Sequence, residues 1–345
     1  MEIVGIGTIF IGILGIAIAI WQTVIARQRL NIELKKLTDE KQENELQRLA
    51  NSAPKAITHQ FELTRNFISR LSSAPEQVEH QSIEYLIETG RSKECIVFLS
   101  GLGLDHRDFE RHIQAFQNFD CIVLTVYGFQ PIGGGFVPLE LNDHVKVLVH
   151  VLNQLFNGHN YDKVNFVGFS VGADLSLRIV ANEELKLKFH RLIILDPNFD
   201  KSTLFISKRI SKLTNNASSL DVVKAISSDS KFLNLDDWLD VHRYLVKIFA
   251  KFGPARLPVL QKFASEIVET YGQENLEYFI SLVAAASGQV ANCNLVLSDN
   301  VEHEKIKSRL KGKLPINVAI DIIQSAGHFD LVKNLVITRK YIEKA

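Results

Sequence analysis

Cysteine is scarce in this chain of 345 residues, which holds only Cys95, Cys121 and Cys293. Three thiols with no paired metal-ligand spacing exclude a disulfide framework and a cysteine-built metal site, and they fit a reducing compartment. Cys95 and Cys121 each open an apolar run, where a buried free thiol is expected. Excess charge is missing too. Lysine plus arginine and aspartate plus glutamate number 39 each, which argues against a general nucleic-acid binder. The glycine cluster Gly133-Gly134-Gly135 lacks the lysine and the helix opening of a phosphate loop. It reads as flexible backbone at the rim of a site. Nothing in the sequence implies a metal ion or an organic cofactor.

Charge is also absent from residues 3–20, IVGIGTIFIGILGIAIAI. As a helix rising about 1.5 Å per residue, this run is about 27 Å long, close to the thickness of a bilayer core. Trp21 follows at interface depth. A cleaved signal peptide would want a basic start and a shorter apolar core, and only Glu2 precedes the run. A retained single-pass anchor over 1–21 is therefore expected. Arg27, Arg29, Lys35 and Lys36 follow the span and no lysine or arginine precedes it, which places the rest of the chain in the cytoplasm. The pairs Thr8/Gly12 and Gly15/Ala19 would allow weak self-association in the membrane.

Residues 22–50 contain no glycine or proline and are rich in Leu, Lys, Glu and Gln, the composition of a polar helix. With a further helix expected near 55–72, residues 22–79 read as a helical stalk or linker that could pair weakly. After residue 80 the texture changes to short apolar runs, at 83–88, 94–99, 121–127, 163–168, 191–195, 293–297 and 316–323. Helical stretches separate most of them, near 107–118, 140–156, 171–186 and 301–310. Near-continuous Ile/Val/Leu runs alternating with helices predict an α/β class with an open, doubly wound, mostly parallel sheet over 80–345. No strand pattern appears between Leu195 and Cys293, so 201–290 reads as a helical insertion over the C-terminal edge of that sheet.

The most informative stretch is VNFVGFSVGADLSLRIV, residues 164–180. It begins as a strand and ends as a helix, with Gly168-Phe169-Ser170-Val171-Gly172 at the join. A serine there is pushed above the sheet in a strained conformation, between glycines that keep clear of neighbouring backbone. The new helix aims its free N–H groups and positive dipole end at the same point.

This stretch resembles the nucleophile elbow of the α/β-hydrolases, and the resemblance spans roughly residues 80–345. It implies a serine, acid, histidine order, with Ser170 as nucleophile. Gln324-Ser325-Ala326-Gly327-His328-Phe329 is similar to the family's histidine loop and makes His328 the base. Asp299, after the penultimate strand run, is the expected acid. Asp196, in LIILDPNF after the preceding strand, is the alternative, since a minority of the family carries the carboxylate there. His303 is expected to face solvent. The oxyanion donors implied are the backbone N–H groups of Val171 and Leu102, the second in the loop Ser100-Gly101-Leu102-Gly103-Leu104. Ser100 departs from the His-Gly common at that place.

These expectations add up to a membrane-anchored serine hydrolase acting on carboxylic esters or thioesters, with a lipid or small-molecule acyl ester as substrate. A peptidase or amidase on the same triad, or an idle hydrolase fold serving as a binding or signalling module, are the alternatives.

Overall fold

The computed structural model describes residues 38–51, 56–73, 81–90, 92–130, 136–213, 235–272 and 276–343. A helix over 38–51 (α1) is the described part of the expected polar helix. Among the described residues no helix is long and apolar enough to cross a membrane. The anchor expected over 3–20 lies outside them, and so does the glycine cluster at 133–135.

At the centre of the unit Leu49–Ala345 is an eight-stranded sheet in the order β1-β2-β4-β3-β5-β6-β7-β8. Its strands are β1 (Thr58–Leu63), β2 (Gln81–Glu88), β3 (Glu94–Leu99), β4 (Asp120–Leu124), β5 (Lys163–Phe169), β6 (Phe189–Leu195), β7 (Val290–Leu297) and β8 (Val318–Ile322). From β4 through β8 the neighbours run parallel; β1–β2 and β2–β4 are antiparallel. The seven apolar runs of the sequence correspond to β2 through β8. Strands β3, β5 and β6 are buried on both faces after their first residues, which is why they read as unbroken apolar runs. Burying each such Ile, Leu or Phe contributes about 1.5–3 kcal/mol.

The helices α3 (Glu110–Ala115), α4 (Leu141–Leu155), α5 (Val171–Val180), α9 (Val301–Leu310), α10 (Asp330–Lys333) and α11 (Leu335–Glu343) connect or follow these strands, and α2 (Arg65–Ile68) follows β1. Helix α5 carries the serine at its start. It packs on β5 and β6 and is covered by α4 and α8 (Glu277–Ser287), so almost every residue in it is buried.

The helix expected over 55–72 is not formed. Residues 58–63 are the edge strand β1 instead, paired with β2 from Thr58↔Leu86 to Leu63↔Gln81. Thr64 then caps the short helix α2 by accepting from Phe67 N at 3.3 Å. THQFEL has both β-branched and aromatic residues, and pairing to an existing edge overrides a weak helical preference. The following Ser72-Ser73 turn is pinned to α4, with both hydroxyls and the Ser73 N–H donating to Asp143 Oδ2. Residues 56–73 are therefore part of the sheet assembly.

Between β6 and β7 the described residues form α6 (Phe205–Ile210), α7 (Leu235–Tyr271) and α8, without a strand. These helices fall within the interval 201–290, and α7 contacts α6 and α4.

Candidate active site

Ser170 ends β5 and starts α5 with φ 55° and ψ −122°, a backbone state that a non-glycine residue adopts only when its surroundings enforce it. The surroundings are tight. Ser170 N donates to Leu195 O at 2.8 Å, extending the β5–β6 ladder to the turn itself. A Cβ at Gly168 would run into Ser176 Oγ and come within 2.8 Å of Ala173 Cα, and one at Gly172 would strike the carbonyls of Leu99 and Ser100. Glycine at both Gly168 and Gly172 is thus a packing requirement of the bend that carries Ser170.

His328 lies on the loop between β8 and α10. Its Nδ1 is 2.6 Å from Asp196 Oδ2, so the ring donates Nδ1–H to the carboxylate and keeps Nε2 as an acceptor. The ring also packs on Phe169, the residue before the serine, with centroids 4.7 Å apart. His328 and Ser170 line the same cavity. Among the described residues no hydrogen bond joins the Ser170 hydroxyl to the ring, an open geometry common before substrate is bound.

The carboxylate on the ring is that of Asp196, not that of Asp299. Asp299 Oδ2 accepts from Ser325 N at 2.8 Å, and Asp299 N donates to Ala326 O at 2.8 Å. It therefore holds the loop that carries His328 rather than the imidazole itself. Asp196 stands at the end of β6 with φ 47°, and its N–H donates to Val296 O on β7 at 2.9 Å.

Asp196 is enclosed on its other side as well. Ser298 N donates to Oδ1 and Ser298 Oγ to Oδ2, both at 2.7 Å. His303 Nδ1 is 3.5 Å from Oδ1 and 3.0 Å from Ser298 O. Burial would raise this carboxyl, but the neighbouring imidazoles of His303 and His328 and the hydrogen bonds from His328 and Ser298 outweigh it and hold it at about 2. His303, expected to face solvent, is only 6% exposed. It lies in the first turn of α9, and its ring is turned back onto Ser298, the residue two before the Asn300 cap.

The loop after β3 faces the serine from across the cavity. Leu104 N donates to Gly101 O at 3.1 Å, closing a turn in which Gly103 has φ +67°. That bond points the Gly101 carbonyl into the turn and so turns the Leu102 N–H of the same peptide outward. Ser100 Oγ donates to Asp105 O at 2.9 Å and braces the loop from below. Val171 N–H is the first of helix α5, without an intrahelical acceptor. The cavity that these parts surround has a volume of about 410 Å³. Phe169, Phe205, Ile206 and Phe329 are among its apolar lining residues, and Asn198 and His303 among its polar ones.

No family model and no curated protein matches the chain. Solved structures do. An acetylester hydrolase from Corynebacterium glutamicum aligns with a TM-score of 0.53 at 14% identity, over 83% of this chain and 92% of that one. A putative lipase from Acinetobacter baumannii gives 0.53 and 13%, over 88% and 94%. MGS-M2, an α/β hydrolase from a Medee basin deep-sea metagenome library, gives 0.58 and 13%, over 77% and 96%. The chain has the α/β-hydrolase fold. AqDC, a protein of ring-cleavage of the Pseudomonas quinolone signal, aligns equally well, with a TM-score of 0.58 at 13% identity over 82% of this chain and 98% of that one. A hydrolase fold thus carries more than one reaction, and the reaction has to be argued from the site.

Within this hydrolase fold the structure brings Ser170, His328, Asp196 and Leu102 around one cavity, with Val171 directly behind the serine. Asp299 lines the cavity too but does not reach the ring. Two residues of the site carried no usable signal in the sequence: Ser298 and His303, which both reach Asp196. Each acts through a neighbour far along the chain, so spacing could not single them out.

Proposed function

We propose that the protein is a serine hydrolase of carboxylic esters or thioesters, with Ser170 as nucleophile, His328 as base and Asp196 as the acid. The observation that carries the reading is the 2.6 Å contact of His328 Nδ1 with Asp196 Oδ2, on a ring that packs on Phe169 and lines the same cavity as the strained Ser170. Ser170 Oγ attacks the substrate carbonyl carbon while its proton passes to His328 Nε2. The negative charge on the carbonyl oxygen is met by the N–H groups of Val171 and Leu102. Collapse of this intermediate breaks the bond to the alcohol or thiol, which leaves with the proton from His328. Water, deprotonated by the same ring, then releases the acid and restores the serine. Asp196 stays ionised throughout, holds the tautomer and stabilises the imidazolium.

The phenylalanine-rich walls support an acyl chain of moderate length in the cavity, and the names of the acetylester hydrolase and the putative lipase point the same way. The uncharged run 3–20 supports attachment to a membrane with the hydrolase domain on the cytoplasmic side. The test is labelling with a fluorophosphonate together with p-nitrophenyl ester turnover. Tagging and turnover that vanish in Ser170→Ala are expected; a wild type that resists the probe and leaves esters intact would discard the proposal.

A further inference from the structure

The long helix α7 touches both halves of the site. On one side the Tyr244 hydroxyl donates to Leu102 O at 2.6 Å. Three further contacts bind the same loop and the residues just after it to the same helix. Gly103, at φ +67°, has so little room that a Cβ there would lie 3.1 Å from Ile248 Cγ2 and 3.2 Å from Leu260 Cδ1. Just beyond, Lys251 Nζ is 2.9 Å from Asp105 Oδ2, with both side chains buried, and Lys247 pairs with Asp108. On the other side the Tyr244 ring packs on Phe329, centroids 5.2 Å apart, and Phe329 packs on His328 at 5.1 Å. Asp240, one turn before Tyr244, pairs with Lys333 of α10.

We infer that Tyr244 is a positioning residue of the oxyanion hole, whose hydroxyl holds the Leu102 carbonyl so that the Leu102 N–H faces the carbonyl oxygen of the substrate. The inference rests on the serine-hydrolase reading above. Its logic is that of two consecutive peptide planes. The Gly101–Leu102 plane is oriented by the Leu104 N–H on Gly101 O. The Leu102–Gly103 plane can rotate at a positive-φ glycine unless something takes its carbonyl, and Tyr244 takes it. With both planes held, the Leu102 N–H keeps one direction without spending substrate binding energy on ordering the loop. Helix α7 is in this respect part of the catalytic frame rather than a cover over it. Phe329 extends the frame to the histidine loop, so one tyrosine sets the oxyanion donor and the base against a common reference.

The test is Tyr244→Phe in the full chain, which keeps the ring on Phe329 and deletes only the donor. Expected is a fall in kcat of about tenfold or more, with KM within about twofold and the pH profile of kcat/KM unchanged, because the donor acts on the developing oxyanion and on no titrating group. Val283→Ala, which opens space under α8 away from the cavity, serves as the structural control. It should lower Tm at least as much without that loss of kcat. Gly103→Ala approaches the same contact from the loop side and should give the same kcat-selective loss. An active wild type whose Tyr244→Phe variant keeps kcat within twofold overturns the inference. So does a Tyr244→Phe loss matched by the control at equal Tm. Should Tyr244→Phe not fold, Gly103→Ala decides by the same criterion. A wild type untagged at Ser170 by a fluorophosphonate removes the hydrolase reading and the inference together, and so differs from the other outcomes.

Discussion

His328 and Asp196 stand 132 positions apart in the chain, and the imidazole Nδ1 meets the carboxylate Oδ2 at 2.6 Å. The ring of His328 hangs from the loop after β8, the carboxylate sits at the end of β6, and β7 with Ser298 lies between them. Asp299, at the end of β7, is used to hold the loop instead.

This division of labour predicts different costs for the two aspartates. Asp196→Asn should lower p-nitrophenyl ester turnover on the order of 10²-fold or more, because the ring loses the partner that selects its tautomer. Asp299→Ala should cost less than about tenfold, acting through the Ser325 turn. Turnover measured on folded, Tm-matched variants decides; the reverse ranking would return Asp299 to the role of acid.

Replacing the nucleophile gives a sharper contrast between fold and activity. Ser170→Ala removes a half-buried hydroxyl and no core volume, so thermal unfolding should shift by no more than a few degrees. Ester hydrolysis should drop on the order of 10³-fold or more. Activity within tenfold of wild type would take Ser170 out of the chemistry.

The depressed carboxyl of Asp196 has a consequence for stability. Its folded-state pKa of about 2 lies below the unfolded value of about 3.9. A group depressed in this way stabilises the fold above its unfolded pKa and loses that contribution as the pH falls through about 4 toward 2. The amount is about 3 kcal/mol when the contribution is lost completely, from about 1.4 kcal/mol for each pH unit of difference. Urea unfolding at pH 7 and pH 3 should therefore show a larger loss for wild type than for Asp196→Asn. Equal losses would mean that the carboxylate titrates normally in the fold.

Residues 3–20 make a prediction that the described structure leaves to biochemistry. The full chain, tagged at its C-terminus, should sediment with membranes and resist carbonate extraction. In spheroplasts the tag should be protected from external protease until lysis. Digestion of the tag in intact spheroplasts would reverse the orientation, and release by carbonate would remove the anchor.

The chain by itself specified those features that are written in consecutive residues. VNFVGFSVG contains a strand, a bend that tolerates only glycine on either side of Ser170, and the start of a helix, because sterics at Gly168 and Gly172 act over a few positions. The apolar runs of β3, β5 and β6 were legible for a similar reason: burial on both faces leaves one residue class available at every position. The strand β1 was not legible, since THQFEL becomes a strand only when the edge of β2 is there to pair with it. Nor was the choice between Asp196 and Asp299. Both follow parallel strands that neighbour each other in the sheet, both have local patterns fit for a carboxylate at a site, and only the path of the loop from β8 decides which one the ring of His328 reaches. His303 turning inward to Asp196 and Tyr244 reaching Leu102 belong to the same class. Contacts between residues more than a hundred positions apart depend on how α7 and the strand ends are packed, and packing is a property of the assembled core, which no single stretch of sequence contains.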